Sequence, residues 1–153
     1  MACGTKLSPA QLQILLRRAG FQDILVDSKT GKVPLIALMQ AIGTAESSGC
    51  TDAIGTIARG REYSVGVWQI NTKVHKRYSV EQLKNPDTNA LEALRINKSE
   101  GLRAWGAYQD NRYKKYLPEA LATYGAPATG EQPQGTTNDT IVLIAILAAL
   151  AIL

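Results

Sequence analysis

The apolar positions of the chain fall into separate blocks of helical spacing. Leu12, Leu15, Leu16 and Ala19 recur three and four apart behind Ser8-Pro9-Ala10-Gln11. There a capping serine, a proline at the first helical position and a glutamine three after the cap form a helix start, and Gly20 supplies the stop. Asp27 to Gly31 reads as a turn, and Pro34 opens a second helix with Leu35, Leu38, Met39 and Ile42 on one face. Glu46 falls four after Ile42, on that same face. Ser47 to Ser64 is rich in Gly, Ser, Thr and Asp without a helical period and reads as a loop. Val65-Gly66-Val67-Trp68-Gln69-Ile70 suits either an extended piece of a small hairpin or a buried turn. Ser79-Val80-Glu81-Gln82 is a second capping box, Asn85-Pro86 breaks the chain, and Asn89 to Glu100 carries Ala90, Leu91, Ala93 and Leu94 up to the stop at Gly101. Trp105, Tyr108, Tyr116, Leu117, Leu121 and Tyr124 continue a helical face that Pro118 interrupts.

This pattern predicts a mainly α fold of the α+β class: one helical domain with a small loop or hairpin region, occupying residues 1–125. Residues 126–139 form an Ala/Pro/Gly/Thr/Gln linker, expected to be extended, and residues 140–153 an apolar C-terminal segment. Ile141 to Leu153 is apolar at all 13 positions. As a helix it would reach about 20 Å, short of the ~30 Å hydrocarbon core of a bilayer. The expectation is an anchor that joins a membrane or docks on another protein.

The 153 residues suit one compact domain and one active site. All 17 Lys and Arg precede Ala126, and Glu131 and Asp139 are the two charged side chains after it. The helical part therefore sets 17 basic against 11 acidic residues, a net +6. A basic domain suits a polyanion: nucleic acid, anionic lipid or acidic cell-wall polymers. The basic residues are scattered, with no run of five or six and no nucleic-acid motif, so nucleic acid is not expected as a partner. Cys3 and Cys50 are too few for a disulfide framework and form no metal-ligand set, which points to reduced thiols in a reducing compartment. Met1 to Lys6 has no apolar signal region. His75 is the sole histidine and sits among Lys73, Lys76 and Arg77, so neither a zinc site nor a Ser-His-Asp triad is available. No phosphate loop is present, and no cofactor is called for.

Glu46 is the residue that stands out. A carboxyl on the apolar side of a helix, near its negative C-terminal end, is disfavoured as an anion, and a carboxylic acid still protonated near neutral pH can protonate a glycosidic oxygen. The bland alternative is a helix that ends earlier, leaving Glu46 turned to water.

Ala41-Ile42-Gly43-Thr44-Ala45-Glu46-Ser47-Ser48-Gly49 followed by Tyr63-Ser64-Val65-Gly66-Val67-Trp68-Gln69-Ile70-Asn71 resembles the Glu-Ser and Ser-x-x-Gly-x-x-Gln-Ile motifs of the soluble lytic transglycosylase domain and related phage lysozymes. Asn85-Pro86 with Asn89 and Ala93, and Ala104 to Tyr108 with Tyr113 to Leu117, resemble that family's later segments. The likeness covers roughly Pro34 to Leu117. It implies a lysozyme-like fold with a glycan groove, peptidoglycan strands as substrate, Glu46 as general acid/base, Ser47 supporting it, and Gln69 and Tyr108 near the reacting sugar. It also implies a phage virion enzyme that acts on the host envelope and is attached through Ile141 to Leu153. Trp68 departs from the pattern, since the family has a small aliphatic residue or Met there. It could stack on a sugar, or pack in the core beside Val67 and Ile70.

A hydrolase needs a second carboxylate, for which Glu62 and Asp52 are the candidates. A lytic transglycosylase needs none, because the muramoyl hydroxyl of the substrate attacks the anomeric carbon. The transglycosylase is the favoured reading. A hydrolytic lysozyme, or a non-catalytic virion structural protein on the same scaffold, is the alternative.

Overall fold

The computed structural model describes residues 3–56 and 63–126. The linker and the apolar segment called at residues 126–153 lie, apart from Ala126, outside the described residues, as does Glu62. Among the described residues no helix is long and apolar enough to cross a membrane.

The first helix, α1 (Pro9–Ala19), starts as its sequence dictates. The Ser8 side chain accepts from Gln11 N–H, Gln11 answers the Ser8 N–H, and Gly20 closes the helix in the left-handed region at φ 100°. The Asp27–Gly31 turn is the tip of a hairpin absent from the sequence reading, β1 (Leu25–Ser28) against β2 (Gly31–Pro34), paired Leu25 to Pro34 through Ser28 to Gly31. Ser28 Oγ shapes the tip, accepting from Thr30 N–H at 3.1 Å and donating to Gly31 C=O at 2.7 Å.

Helix α2 (Leu35–Ser47) is the centre of the molecule, with every residue from Leu35 to Gly43 buried. Its apolar positions are thus not a stripe but the whole circumference, as expected of a helix enclosed by others. It packs against α1, against α6 (Leu117–Gly125) and against a 3-10 turn at Arg112–Lys115. Two buried amides tie three of these helices together, with Gln13 Nε2 donating to Gln40 Oε1 at 2.5 Å and to Ala120 C=O at 2.9 Å. Burial of each large apolar side chain adds about 1.5–3 kcal/mol, and α2 contributes Leu35, Ile36, Leu38, Met39 and Ile42 to the core.

After α2 comes a small antiparallel sheet of β3 (Ile54–Thr56), β4 (Tyr63–Val65) and β5 (Ile70–Asn71). Helix α3 (Val80–Leu83) carries the second capping box, at Ser79 and Gln82. Helix α4 (Pro86–Glu100) begins three residues earlier than Asn89, because Asn85 caps it through Thr88 N–H and Pro86 occupies its first turn. Pro118 likewise starts α6 rather than interrupting it. Between α4 and α6 lie a 3-10 turn at Gly101–Ala104 and the single turn α5 (Gly106–Gln109).

Cys3 and Cys50 are joined in a disulfide, with Cα atoms 5.7 Å apart, which corrects the expectation of reduced thiols. The N-terminal strand fragment runs antiparallel to the segment after α2: Leu7 N–H donates to Gly49 C=O and Thr51 N–H to Thr5 C=O, both at 3.0 Å. Two cysteines in a short chain gave no hint of this pairing, because the contact that brings them together is made by backbone.

Candidate active site

Helix α2 continues through Glu46 to Ser47 and closes at Ser48 in the left-handed region. Glu46 is therefore helical, which disposes of the reading in which the helix stops short of it. Its side chain is 12 % exposed, enclosed on most sides but open to solvent at an edge. The carboxyl, expected on the apolar side of the helix near its negative end, has polar partners. Oε1 accepts the Ala107 N–H at 2.7 Å from the first turn of α5, and Oε2 lies 3.5 Å from Arg112 Nη2.

Arg112 is a site residue the sequence reading missed. Its guanidinium is gripped by Asp110 Oδ2 at 2.7 Å, donates to Ala45 C=O at 3.0 Å and faces Glu46. Asn111, in the left-handed region at φ 68°, turns the chain so that Asp110 and Arg112 meet. The Asp110 hydrogen bond, with Glu46 adding its charge, raises the Arg112 pKa further above its already high value, so the group is a fixed cation. The same hydrogen bond lowers the Asp110 pKa. No local sequence signal marks Arg112, since its role depends on the 112–115 turn packing on α2.

Ser47 Oγ donates to Gly43 C=O and accepts from Gly49 N–H, both at 3.2 Å, so its hydroxyl finishes the helix end that carries Glu46. Trp68 belongs to the core. It is 0 % exposed, its indole N–H donates to Met39 C=O at 2.9 Å, and no face is open for a sugar. Gly43 makes that packing feasible, for a Cβ there would stand 2.8 Å from the indole nitrogen. Trp105 repeats the arrangement, donating its indole N–H to Trp68 C=O at 3.1 Å.

Gln69 sits half-buried in the left-handed region at φ 46°, a strained setting for a residue with a Cβ. Its amide donates to Gly66 C=O at 2.9 Å and Ala53 C=O at 3.2 Å, and its Oε1 occupies the space where a side chain on Gly55 would be. Asn89 anchors the same turn from α4. Its Nδ2 donates to Val65 C=O at 2.9 Å and Leu83 C=O at 3.0 Å, and its Oδ1 accepts Trp68 N–H at 3.0 Å. This buried clamp fixes Val65 to Trp68, and the sequence motif held Asn89 without revealing its task.

Tyr108 is 9 % exposed, stacked on Tyr113 with ring centres 5.2 Å apart, and has the Lys29 ammonium 5.2 Å from its ring. Burial, with Tyr113 beside it, pushes its phenol pKa up, so the hydroxyl stays neutral at physiological pH. It lines an open recess of about 480 Å³ with Val26, Leu35, Leu102 and Arg103. Glu46 is outside the lining of that recess; it meets the N–H of Ala107, next to Tyr108, and the Arg112 guanidinium. Asp52, a candidate second carboxylate, accepts Gly4 N–H at 2.9 and 3.0 Å and is engaged by the N-terminal strand. Cys3, Cys50 and Asp52 are a gathering of metal-ligand types among the described residues, but the disulfide removes both thiolates.

The family model described as "Lysozyme like domain" matches residues 26–107, more than half of the chain. The chain belongs to that lysozyme-like family. The match runs from β1 to the Ala107 N–H that meets Glu46 and takes in α2, the small sheet and α4. Arg112 and α6 lie beyond the end of the match. No curated protein matches the chain.

Proposed function

We propose that this protein cleaves the β-1,4 glycosidic bond between N-acetylmuramic acid and N-acetylglucosamine in peptidoglycan, as a lytic transglycosylase with Glu46 as general acid and then general base. The observation that carries the reading is the setting of Glu46. It is a single carboxyl at the end of a buried helix, open at one edge, with a backbone N–H on one oxygen and a guanidinium beside the other. Glu46 donates its proton to the glycosidic oxygen as the bond to the anomeric carbon breaks, and the N-acetylglucosamine hydroxyl leaves. The resulting carboxylate is met by Ala107 N–H and Arg112, which offset its charge through preorganised contacts. It then takes the proton of the muramoyl hydroxyl that attacks the anomeric carbon, giving an anhydro-muramoyl end without consuming water.

One feature favours this over hydrolysis: Asp52, a candidate second carboxylate, is engaged by Gly4 N–H; Glu62, the other candidate, lies outside the described residues. The setting we propose is a phage virion, with residues 141–153 attaching the enzyme to a membrane or another virion protein; the uninterrupted apolar run motivates that part. Mass spectrometry of the glycan products decides the reaction. Anhydro ends are expected; reducing ends would make the enzyme a hydrolase, and intact glycan would leave a lysozyme-like scaffold without this activity.

A further inference from the structure

Next to α4, a second recess of about 230 Å³ joins apolar and cationic surface. Tyr78, Leu91 and Leu94 supply the apolar part, and Leu91 is 48 % exposed despite lying on a packed helix. Arg77, Arg95 and Lys98 supply the cations. Glu92 is the one acid of the lining. Its carboxylate, 2 % exposed, accepts Arg95 Nη2 at 2.7 Å and Nε at 2.9 Å, so it locks Arg95 in place and is itself neutralised. Arg77 and Lys98 have no carboxylate within ion-pair distance among the described residues. Arg77 instead lies 5.7 Å from the centre of the Tyr78 ring.

Two uncompensated cations beside exposed aliphatic surface select a particular chemistry. A phosphate polymer would use the cations and leave Leu91 and Tyr78 wet, whereas a neutral glycan would leave the cations unused. A carboxylate with a small alkyl group on the adjacent carbon satisfies both. We propose that this recess binds the free C-terminal carboxylate of an alanine-ended peptide of the cell wall, with the alanine methyl against Leu91 and Leu94. The choice of a wall peptide rests on the peptidoglycan reading above. Such a site would hold the strand through its peptide while the glycan lies at Glu46.

The probe is N-acetyl-lysyl-D-alanyl-D-alanine, titrated into the full-length protein and followed by NMR of the Leu91 and Leu94 methyl groups. Saturable shifts in roughly the millimolar range are expected, as suits a small ligand on an open site. The C-terminal amide of the same peptide should bind distinctly more weakly. Arg77→Ala with Lys98→Ala should weaken the free acid by roughly five- to tenfold. That double variant should cleave peptide-free glycan at the wild-type rate and lose rate on peptide-bearing strands. Equal binding of acid and amide, or an unaltered affinity in the double variant, would overturn the proposal. So would stronger shifts from inorganic phosphate or anionic-lipid vesicles at the same methyl groups. If wild type leaves peptide-free glycan uncut while the peptide still binds as described, the catalytic reading fails and the recess stands.

Discussion

Replacing Asn89 with alanine tests whether the Val65–Gln69 turn is held from α4 as described. Three buried hydrogen bonds disappear at once, to Trp68 N–H, Val65 C=O and Leu83 C=O. A buried polar group left without a partner costs about 1–3 kcal/mol, and water admitted to the vacated space would recover part of that for some of the three. The expected loss is about 3–5 kcal/mol, a large share of the 5–15 kcal/mol typical of a domain. Gly66 packs directly on the clamp: it has φ 79°, and a Cβ there would run into the Asn89 amide and stand 2.7 Å from Leu83 C=O. Urea unfolding followed by tryptophan fluorescence is the assay, since Trp68 and Trp105 are both buried and adjacent to the turn. A loss below about 1 kcal/mol would refute the clamp as an energetic feature.

Arg112→Ala removes a cation from Glu46 at a half-exposed position, so stability should change by no more than about 1 kcal/mol while turnover falls roughly 10- to 100-fold; steady-state rates on soluble glycan and thermal melts check both. Asp110 has a lowered pKa, caused first by its hydrogen bond to the Arg112 side chain. A carboxyl depressed in the folded state adds stability above its unfolded pKa and loses it as pH falls through the folded one. The stability gap between wild type and Asp110→Asn should therefore be constant near neutrality and close in the acid range, in melts between about pH 2 and 7. Tyr108→Ala should cost roughly 2–4 kcal/mol in urea unfolding, because the ring is stacked and mostly buried rather than free to serve substrate alone.

What the sequence made legible follows from the range of each signal. Capping boxes act within four residues, so Ser8 with Gln11 and Ser79 with Gln82 located their helices correctly, and Gly20 and Gly101 their ends. Pro86 and Pro118 are helix starts and not breaks: Asn85 caps α4 ahead of Pro86, whereas Pro118 falls in the first turn of α6 behind Tyr116, which makes no side-chain cap. The β1–β2 hairpin escaped because four-residue strands give too short an alternation to register. Glu46 was legible as a helical carboxyl, and its partners were not: Ala107 and Arg112 are 61 and 66 positions away and come into play only when α5 and the following turn pack on α2. Trp68 shows the opposite failure. The motif placed it beside Gln69, and burial was decided by Gly43, whose missing side chain admits the indole against α2.

Glu46→Gln tests the central claim most directly. Gln Oε1 can still accept Ala107 N–H, while its amide nitrogen faces the Arg112 guanidinium in place of Oε2, so the fold should survive with a loss of about 1 kcal/mol at most. Purified wild type and variant would be incubated with peptidoglycan glycan strands, the products quantified by mass spectrometry, and the fold checked by thermal melting. The expected result is an intact variant whose cleavage falls by about a thousandfold or more, the loss of the proton donor itself. A folded variant that releases the same products at a comparable rate would contradict the assignment of Glu46 as the catalytic acid.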